Sequence, residues 1–430
     1  MNSKFMDKFV EMASKIGNQV HLRSLRDAFA TIIPMFILAG LAVLINNVLF
    51  PFIFSGETLA VAQDFGNSIN NGTLNIAGLL LCPTIAYFLS SNKGFANPIS
   101  AAVVSLATYI TIMPLAVEVP FNEDTIETTG ALTYANLGTE AMFVGIIIGL
   151  LATELLLSLN KSKALQINLG EQVPPAVSKS FSTMLPAIIT VSLFAALSLL
   201  LQITVNMDLI TLIVTLIQQP LRSVGTSLIG WLFLYSFGNL LFTFGIHQSV
   251  INGPFTEPFL TQNINENMIA YSQGTEPPNI LTISFQTSFA QMGGTGATFC
   301  LLIAILISSR MKPYREVAKL SLAPGLFEIN EPMIFGLPIV FNIPMIIPFV
   351  IVPIVQALVA YAVTAIGLVS KTVVFIPWVT PPVISGYLAT AGDWRAPILQ
   401  ILLIAIGVMI YLPFLKVSER VLKRQAEMNS

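Results

Sequence analysis

Nine apolar runs govern what this chain can fold into. They cover about 29–50, 77–91, 98–116, 141–158, 183–205, 227–246, 297–309, 343–368 and 396–415. Most are long enough to cross a hydrocarbon core of ~30 Å as helices rising ~1.5 Å per residue. A membrane barrel would instead need alternating segments of about ten residues. The expectation is an all-α polytopic membrane protein with about ten transmembrane helices. Only 10% of its 430 residues are charged and 54% are hydrophobic, with a mean hydropathy of +0.79. The lipid bilayer is therefore a partner by composition, and no nucleic-acid partner is expected.

The few charges orient the chain. Segments 1–27, 92–97, 159–180, 309–322 and 415–430 hold 17 of the 20 Lys and Arg residues, leaving only Arg222, Lys371 and Arg395 elsewhere. Basic loops stay in the cytoplasm, so both termini are expected there. Loop 117–130 carries Glu118, Glu123, Asp124 and Glu127 without a base and is expected outside. The first ~25 residues lack the short apolar core of a secretory signal, and "MDKFVEMASKI" reads as an amphipathic surface helix. Cys82 and Cys300 fall in apolar helix patterns and read as small buried hydrophobes. Two histidines without clustered cysteines or carboxylates give no metal site. No cofactor is expected, because no soluble domain and no P-loop lysine motif is present; "GGTG" at 293–296 reads as a tight turn or close helix approach.

The organisation expected is a leader over 1–27, a regular helical half over 28–226, a second half over 227–415 and a tail over 416–430. In the second half, 247–296 and 320–345 are interrupted by Pro, Gly and Asn, and no clean 20-residue span fits. Irregular backbone at membrane depth survives only inside protein or against a cavity, so both stretches read as re-entrant hairpins. Such interrupted segments also point to a transporter's substrate site.

Within "LAPGLFEINEPMIFGLP" (322–338), Glu331 is the leading candidate for chemistry, since an intramembrane carboxylate normally faces a cavity and has a task. Pro332 removes a backbone donor beside it, and Asn330 offers both donors and an acceptor to a hydroxyl-rich ligand. Glu328 sits nearby, as a second polar contact or as a residue of the hairpin edge paired with Arg310 or Lys319. His247, in "FGIHQSVING", is a candidate proton carrier or hydrogen-bond donor, followed by Asn252. Trp378, in "PWVTPPVISG", could stack on a sugar face or serve as an interfacial aromatic. Asn136 caps the helix that follows it or faces the site. Glu154 has no partner legible in the sequence.

These stretches carry a resemblance. "HLRSLRDAFATIIPMFI" (21–37), "FGIHQS" (244–249), "GLFEINEPMIFGLPIVFN" (325–342) and "PWVTPPVISGYLAT" (377–390) resemble the membrane (IIC) component of the bacterial phosphoenolpyruvate-dependent sugar phosphotransferase system, in its lactose/cellobiose/diacetylchitobiose family. The likeness runs end to end, except that Gln248 stands where the family usually has glycine. It implies a multi-pass permease of the bacterial cytoplasmic (inner) membrane and a homodimer of ten-helix protomers, joined through the first five helices. It also implies a disaccharide substrate and a separate phosphorylated IIB protein that modifies the bound sugar. By position, Glu331 and His247 take catalytic roles; Asn330, Trp378, Glu328, Asn252 and Asn136 take sugar-binding ones. The rival expectation is a proton-coupled sugar transporter with Glu331 as its coupling site.

Overall fold

The computed structural model describes residues 19–121, 124–167, 181–244, 247–337, 339 and 342–428. The amphipathic leader expected over 6–16 lies outside the described residues. Contacts divide the chain into two compact units: one contains Asn18–Phe36 and Ser68–Val224, the other Ile37–Asn67 and Gly225 onward. Residues 37–67 thus cluster with the C-terminal stretch rather than with their neighbours in sequence.

The described residues form helices α1 (Val20–Leu44), α2 (Gly56–Asn71), α3 (Ala77–Asn92), α4 (Pro98–Thr111), α5 (Met142–Asn160), α6 (Met184–Val205), α7 (Leu209–Gly225) and α8 (Leu228–Phe242). Shorter or longer pieces follow as α9 (Ser249–Phe255), α10 (Glu257–Ser272), α11 (Thr298–Ser308), α12 (Lys312–Leu320), α13 (Leu322–Leu326), α14 (Glu331–Gly336), α15 (Ile343–Ala365), α16 (Ile384–Ala389) and α17 (Arg395–Met428). Among the described residues, seven helical stretches are long and apolar enough to cross a membrane, or eight if α7 and α8 form one bent span. The expected ten are reached only if shorter and broken segments such as α4 also cross.

In the first unit, α3 to α6 are regular and pack through small residues. Gly145 and Gly149 lie one turn apart on α5, a spacing that brings helix backbones together. A Cβ on Gly145 would stand 2.6 Å from the Gly78 carbonyl oxygen, and one on Gly149 2.8 Å from that of Cys82. Both approaches are closed to any larger side chain. Around them Tyr109, Ile112, Val144, Ile148 and Phe194 form the core. Cys82 and Cys300 are free and fully buried, as the apolar setting implied.

Three expectations are corrected here. The chain is not wholly helical: the acidic loop forms an antiparallel hairpin of β1 (Ala116–Phe121) and β2 (Asp124–Thr129). Asn136 does not cap α5, whose N-cap is Ala141; it lies in the single turn Tyr134–Leu137, where its carbonyl accepts from the Tyr109 hydroxyl at 2.7 Å. Glu154 does have partners. His21 Nε2 lies 2.6 Å from its Oε1, and Lys93 Nζ donates to the same oxygen.

Candidate functional site

The second unit is built differently: its broken segments are tied down by side chains from long helices. On α17, Gln400 donates to the Ser288 carbonyl at 2.7 Å and to Ser385 Oγ at 2.8 Å, and accepts from the Gly386 amide at 2.8 Å. On α10, Asn267 donates to the carbonyls of Asn279 and Thr372 at 2.7 and 2.8 Å. On α8, Trp231 Nε1 donates to Gln286 Oε1 at 3.0 Å, and the Tyr235 hydroxyl to the Ala290 carbonyl at 3.0 Å. Without water at membrane depth, each freed peptide group needs such a partner. None of these side chains was singled out in the sequence. A lone glutamine inside an apolar helix, such as "PILQILLIAI", was the signal available.

The glycine turn 293–296 joins two candidate motifs. Gly293, Gly294 and Gly296 have φ of +81°, +86° and +77°, a region open mainly to glycine. It is a tight turn with close approaches: a Cβ on Gly294 would meet Asn330 Cγ and the Glu328 carbonyl oxygen at 2.7 Å, and one on Gly296 the Phe349 ring at 2.3 Å. Across this gap the Gly294 amide donates to Glu328 Oε2 at 2.7 Å, and Asn330 Nδ2 donates to the Thr295 carbonyl at 2.7 Å. From α17, the Tyr411 hydroxyl closes the turn onto the Gly296 carbonyl at 2.6 Å. Glu328 is buried, and its backbone is itself left-handed at φ +66°. The expected pairing of Glu328 with Arg310 or Lys319 is corrected: its partner is a backbone amide, while Lys319 bonds Glu316 at 3.1 Å.

Glu331 opens α14, with Pro332 in the first turn, where a missing amide goes unmissed. Its side chain lies outside the described residues. The Asn330 carbonyl accepts from the Met333 and Ile334 amides at 2.9 Å each, so α14 grows directly out of the residue that grips the turn.

His247 lies in the break between α8 and α9, with its ring 4.9 Å from that of Phe242. Phe242 packs edge-on to Phe349 at 6.3 Å, and Phe349 covers Gly296. Two aromatic rings therefore connect His247 to the Glu328–Asn330 turn. His247 Nδ1 accepts from the Ser249 amide at 3.2 Å and lies 2.8 Å from Ser249 Oγ, which places the proton of the neutral ring on Nε2. Gln248 is buried, and its Oε1 accepts from Asn252 Nδ2 at 3.3 Å. Trp378 is half exposed on an irregular stretch anchored where Ser284 Oγ accepts from the Ile376 amide at 3.4 Å. Asn136 belongs to the other unit and is described there. Among the described residues no group of three His, Cys, Asp or Glu could hold a metal ion.

A scaffold of long apolar helices, gap-spanning carboxamides and an acid-bearing break in the backbone are features of multi-pass membrane carriers of polar solutes. The sequence profile of the phosphotransferase system EIIC family matches residues 26–353. The lichenan permease IIC component of Bacillus subtilis is 32% identical over 98% of this chain and 94% of its own length. The cellobiose-specific EIIC component of Geobacillus stearothermophilus is also 32% identical, over 96% and 95%. The crystal structure of ChbC, the IIC component from the N,N'-diacetylchitobiose-specific phosphotransferase system, superposes with a TM-score of 0.90 at 30% identity, over 98% of this chain and 99% of that one. This chain belongs to the EIIC family of the sugar phosphotransferase system, on its cellobiose/lactose branch. It is a multi-pass sugar permease component that works with a IIB component.

Proposed function

We propose that this permease imports a β-linked disaccharide of the cellobiose or diacetylchitobiose type across the bacterial cytoplasmic membrane. The sugar is phosphorylated by the phosphocysteine of a separate IIB chain while it is still bound. The supporting observation is the division of labour in the Glu-Asn-Glu motif. Glu328 and Asn330 spend polar atoms on the glycine turn, leaving Glu331 as the motif's acid for chemistry. Phosphoryl transfer needs an in-line hydroxyl and an acceptor for its proton. In this reading Glu331 orients and deprotonates the 6-hydroxyl, and His247 steadies the incoming phosphoryl group. Asn252 and Trp378 contact sugar, with Asn330 and Glu328 holding the wall behind it. The bond from phosphorus to the IIB sulfur breaks as the bond to the sugar oxygen forms, and the hydroxyl proton passes to Glu331.

In this reading both termini lie in the cytoplasm, which the basic segments support, and the interrupted stretches 247–296 and 320–345 are two re-entrant hairpins. The permease is a homodimer in this reading. Its support is α6, where Ile188, Leu193, Leu197 and Ile203 stay exposed. Family membership favours group translocation over proton coupling, because EIIC components act with IIB.

The test uses inverted vesicles, phosphorylated IIB and labelled sugar. Glu331→Gln should lower sugar phosphate formation by about 10²–10⁴-fold, the usual worth of a general base, while sugar binding persists. Retained phosphorylation would remove Glu331 from the proton-acceptor role. Unmodified sugar moving with a pH gradient, indifferent to IIB, would favour the proton-coupled carrier.

A further inference from the structure

Far from the glycine turn, the second unit contains a cavity of about 770 Å³ among the ends of α10, α15 and α17 and the loops that join them. Tyr271, Glu276, Lys371, Asp393, Trp394 and Arg395 are the lining residues with chemistry to offer. Its position follows from α17. Arg395 begins that helix at the cavity, and Tyr411, sixteen residues on, bonds the Gly296 carbonyl. At ~1.5 Å per residue the cavity stands ~24 Å along the helix from the Glu328–Asn330 turn. At the far end of α17, Ser418 accepts from Asn342 Nδ2 at 3.1 Å, just before α15 starts, so both long helices run from that end to the cavity. The basic segments 309–322 and 415–430 belong to that far end, and the proposed topology puts the cavity outside.

Its walls are electrically balanced. Lys371 Nζ donates to Glu276 Oε1 at 2.9 Å and to the Pro277 carbonyl at 2.7 Å. Asp393 accepts from Arg395 Nε and Nη2 at 2.8 and 2.9 Å and from the Ser370 amide at 2.8 Å. Two cations and two carboxylates are thus already paired, so a charged ligand would have to break an ion pair to gain one. A neutral polyol needs only the remaining lone pairs and protons. Trp394 is 67% exposed and offers a flat apolar face to the C–H side of a pyranose ring. The volume falls in the usual range for small-molecule sites, ~300–1,000 Å³.

We propose that this cavity is a second sugar site, an outer vestibule that takes the neutral oligosaccharide before translocation and rejects the anionic sugar phosphate. The proposal rests on the permease topology given above. It adds a capture step remote from the phosphorylation site.

The test is Ser370→Cys, placed on the exposed rim of the cavity in a chain whose two native cysteines are fully buried. Intact cells lacking the phosphate-donor proteins, so that sugar stays unmodified, are treated with a membrane-impermeant maleimide. Saturating cellobiose, or whichever disaccharide the vesicle assay shows to be phosphorylated, should slow labelling at least fivefold. The corresponding sugar phosphate should slow it less than twofold. Protection should vanish when Trp394→Ala is added, and Tyr271→Ser on the same wall is the alternative should the first variant fold poorly. Absence of protection, equal protection by sugar phosphate, or protection that survives both wall variants would overturn the proposal. Labelling only from inverted vesicles would overturn it too, by placing the cavity on the cytoplasmic side. Failure of the phosphorylation reading shows separately: no sugar phosphate forms in the vesicle assay, and cellobiose protection then judges the cavity alone.

Discussion

The two units solve the same problem, holding polypeptide at membrane depth, by opposite means. In the unit of α3 to α6 most peptide groups are satisfied within regular helices, so packing carries most of the load, beside a few bonds such as that of Tyr109 to the Asn136 carbonyl. Glycines at 78, 145 and 149 let backbones touch. In the unit of α8 to α17 the described backbone is broken at 243–244, 247–248, 273–282, 291–297, 327–330 and 366–383. There Gln400, Asn267, Tyr235 and Tyr411 supply the missing hydrogen bonds. Stability in the first unit is a matter of shape and in the second a matter of polar satisfaction. Broken backbone is what exposes amides and carbonyls to a hydroxyl-rich solute, which is why the candidate site falls in the second unit.

The contrast can be broken in order of expected effect. Gly145→Leu should be the most damaging, because its Cβ would collide with the Gly78 backbone, which cannot rotate away. We expect a loss of ~3 kcal/mol or more and little folded protein on gel filtration in detergent. Near-wild-type yield would mean that α3 and α5 can separate. Gly294→Ala combines φ +86° with contact against Asn330 and should destabilise by ~1–3 kcal/mol. Sugar phosphate formation by its folded fraction should fall further than its thermal stability, since the turn carries the motif. Next, Gln400→Leu removes three hydrogen bonds while keeping volume, leaving Gly386 N–H and the Ser288 carbonyl unpaired, for ~1–3 kcal/mol. An unchanged melting temperature would undo the claim that carboxamides hold this unit together.

The smallest effect is a pH dependence at the cavity rim. Partial burial would raise the Asp393 carboxyl, but hydrogen bonds from Arg395 and from the Ser370 and Arg395 amides outweigh it and hold the group well below the carboxylate range. A depressed folded pKa contributes stability that is fully present above the unfolded value, about 3.9, and is lost as pH falls through the folded one. Melting temperatures of the wild type and Asp393→Asn should therefore differ at neutral pH and converge only in strong acid. A constant difference throughout would deny the carboxylate that role.

Much of the helical frame was legible. The apolar runs at 141–158, 183–205 and 396–415 reappear as α5, α6 and most of α17, because a membrane span is a local property of about 20 residues. The breaks were legible too, from Pro and Gly. What could not be read was which distant residue answers each break. Glu328 meets Gly294 across 34 positions and Tyr411 meets Gly296 across 115, and no local pattern encodes such pairings. The His21–Glu154–Lys93 cluster escaped for the same reason. The hairpin at 116–129 escaped for another: its acidic composition reads as a loop, while the alternation in "VEVPF" is too short to weigh against it. Within the candidate site, sequence singled out Glu328 and Asn330, but the glycine turn beside them looked unrelated until both were placed together.

That interlock carries a consequence for divergence among relatives. Gly294 has no room for a Cβ because Asn330 and the Glu328 carbonyl occupy it, and Asn330 has a partner only because the turn presents Thr295. Neither position can drift alone. Across the family, replacements at 294 and 330 should be found as pairs, inherited together in lineages that rebuilt the turn and absent singly. The two segments, far apart in the gene, would then evolve as one unit of selection.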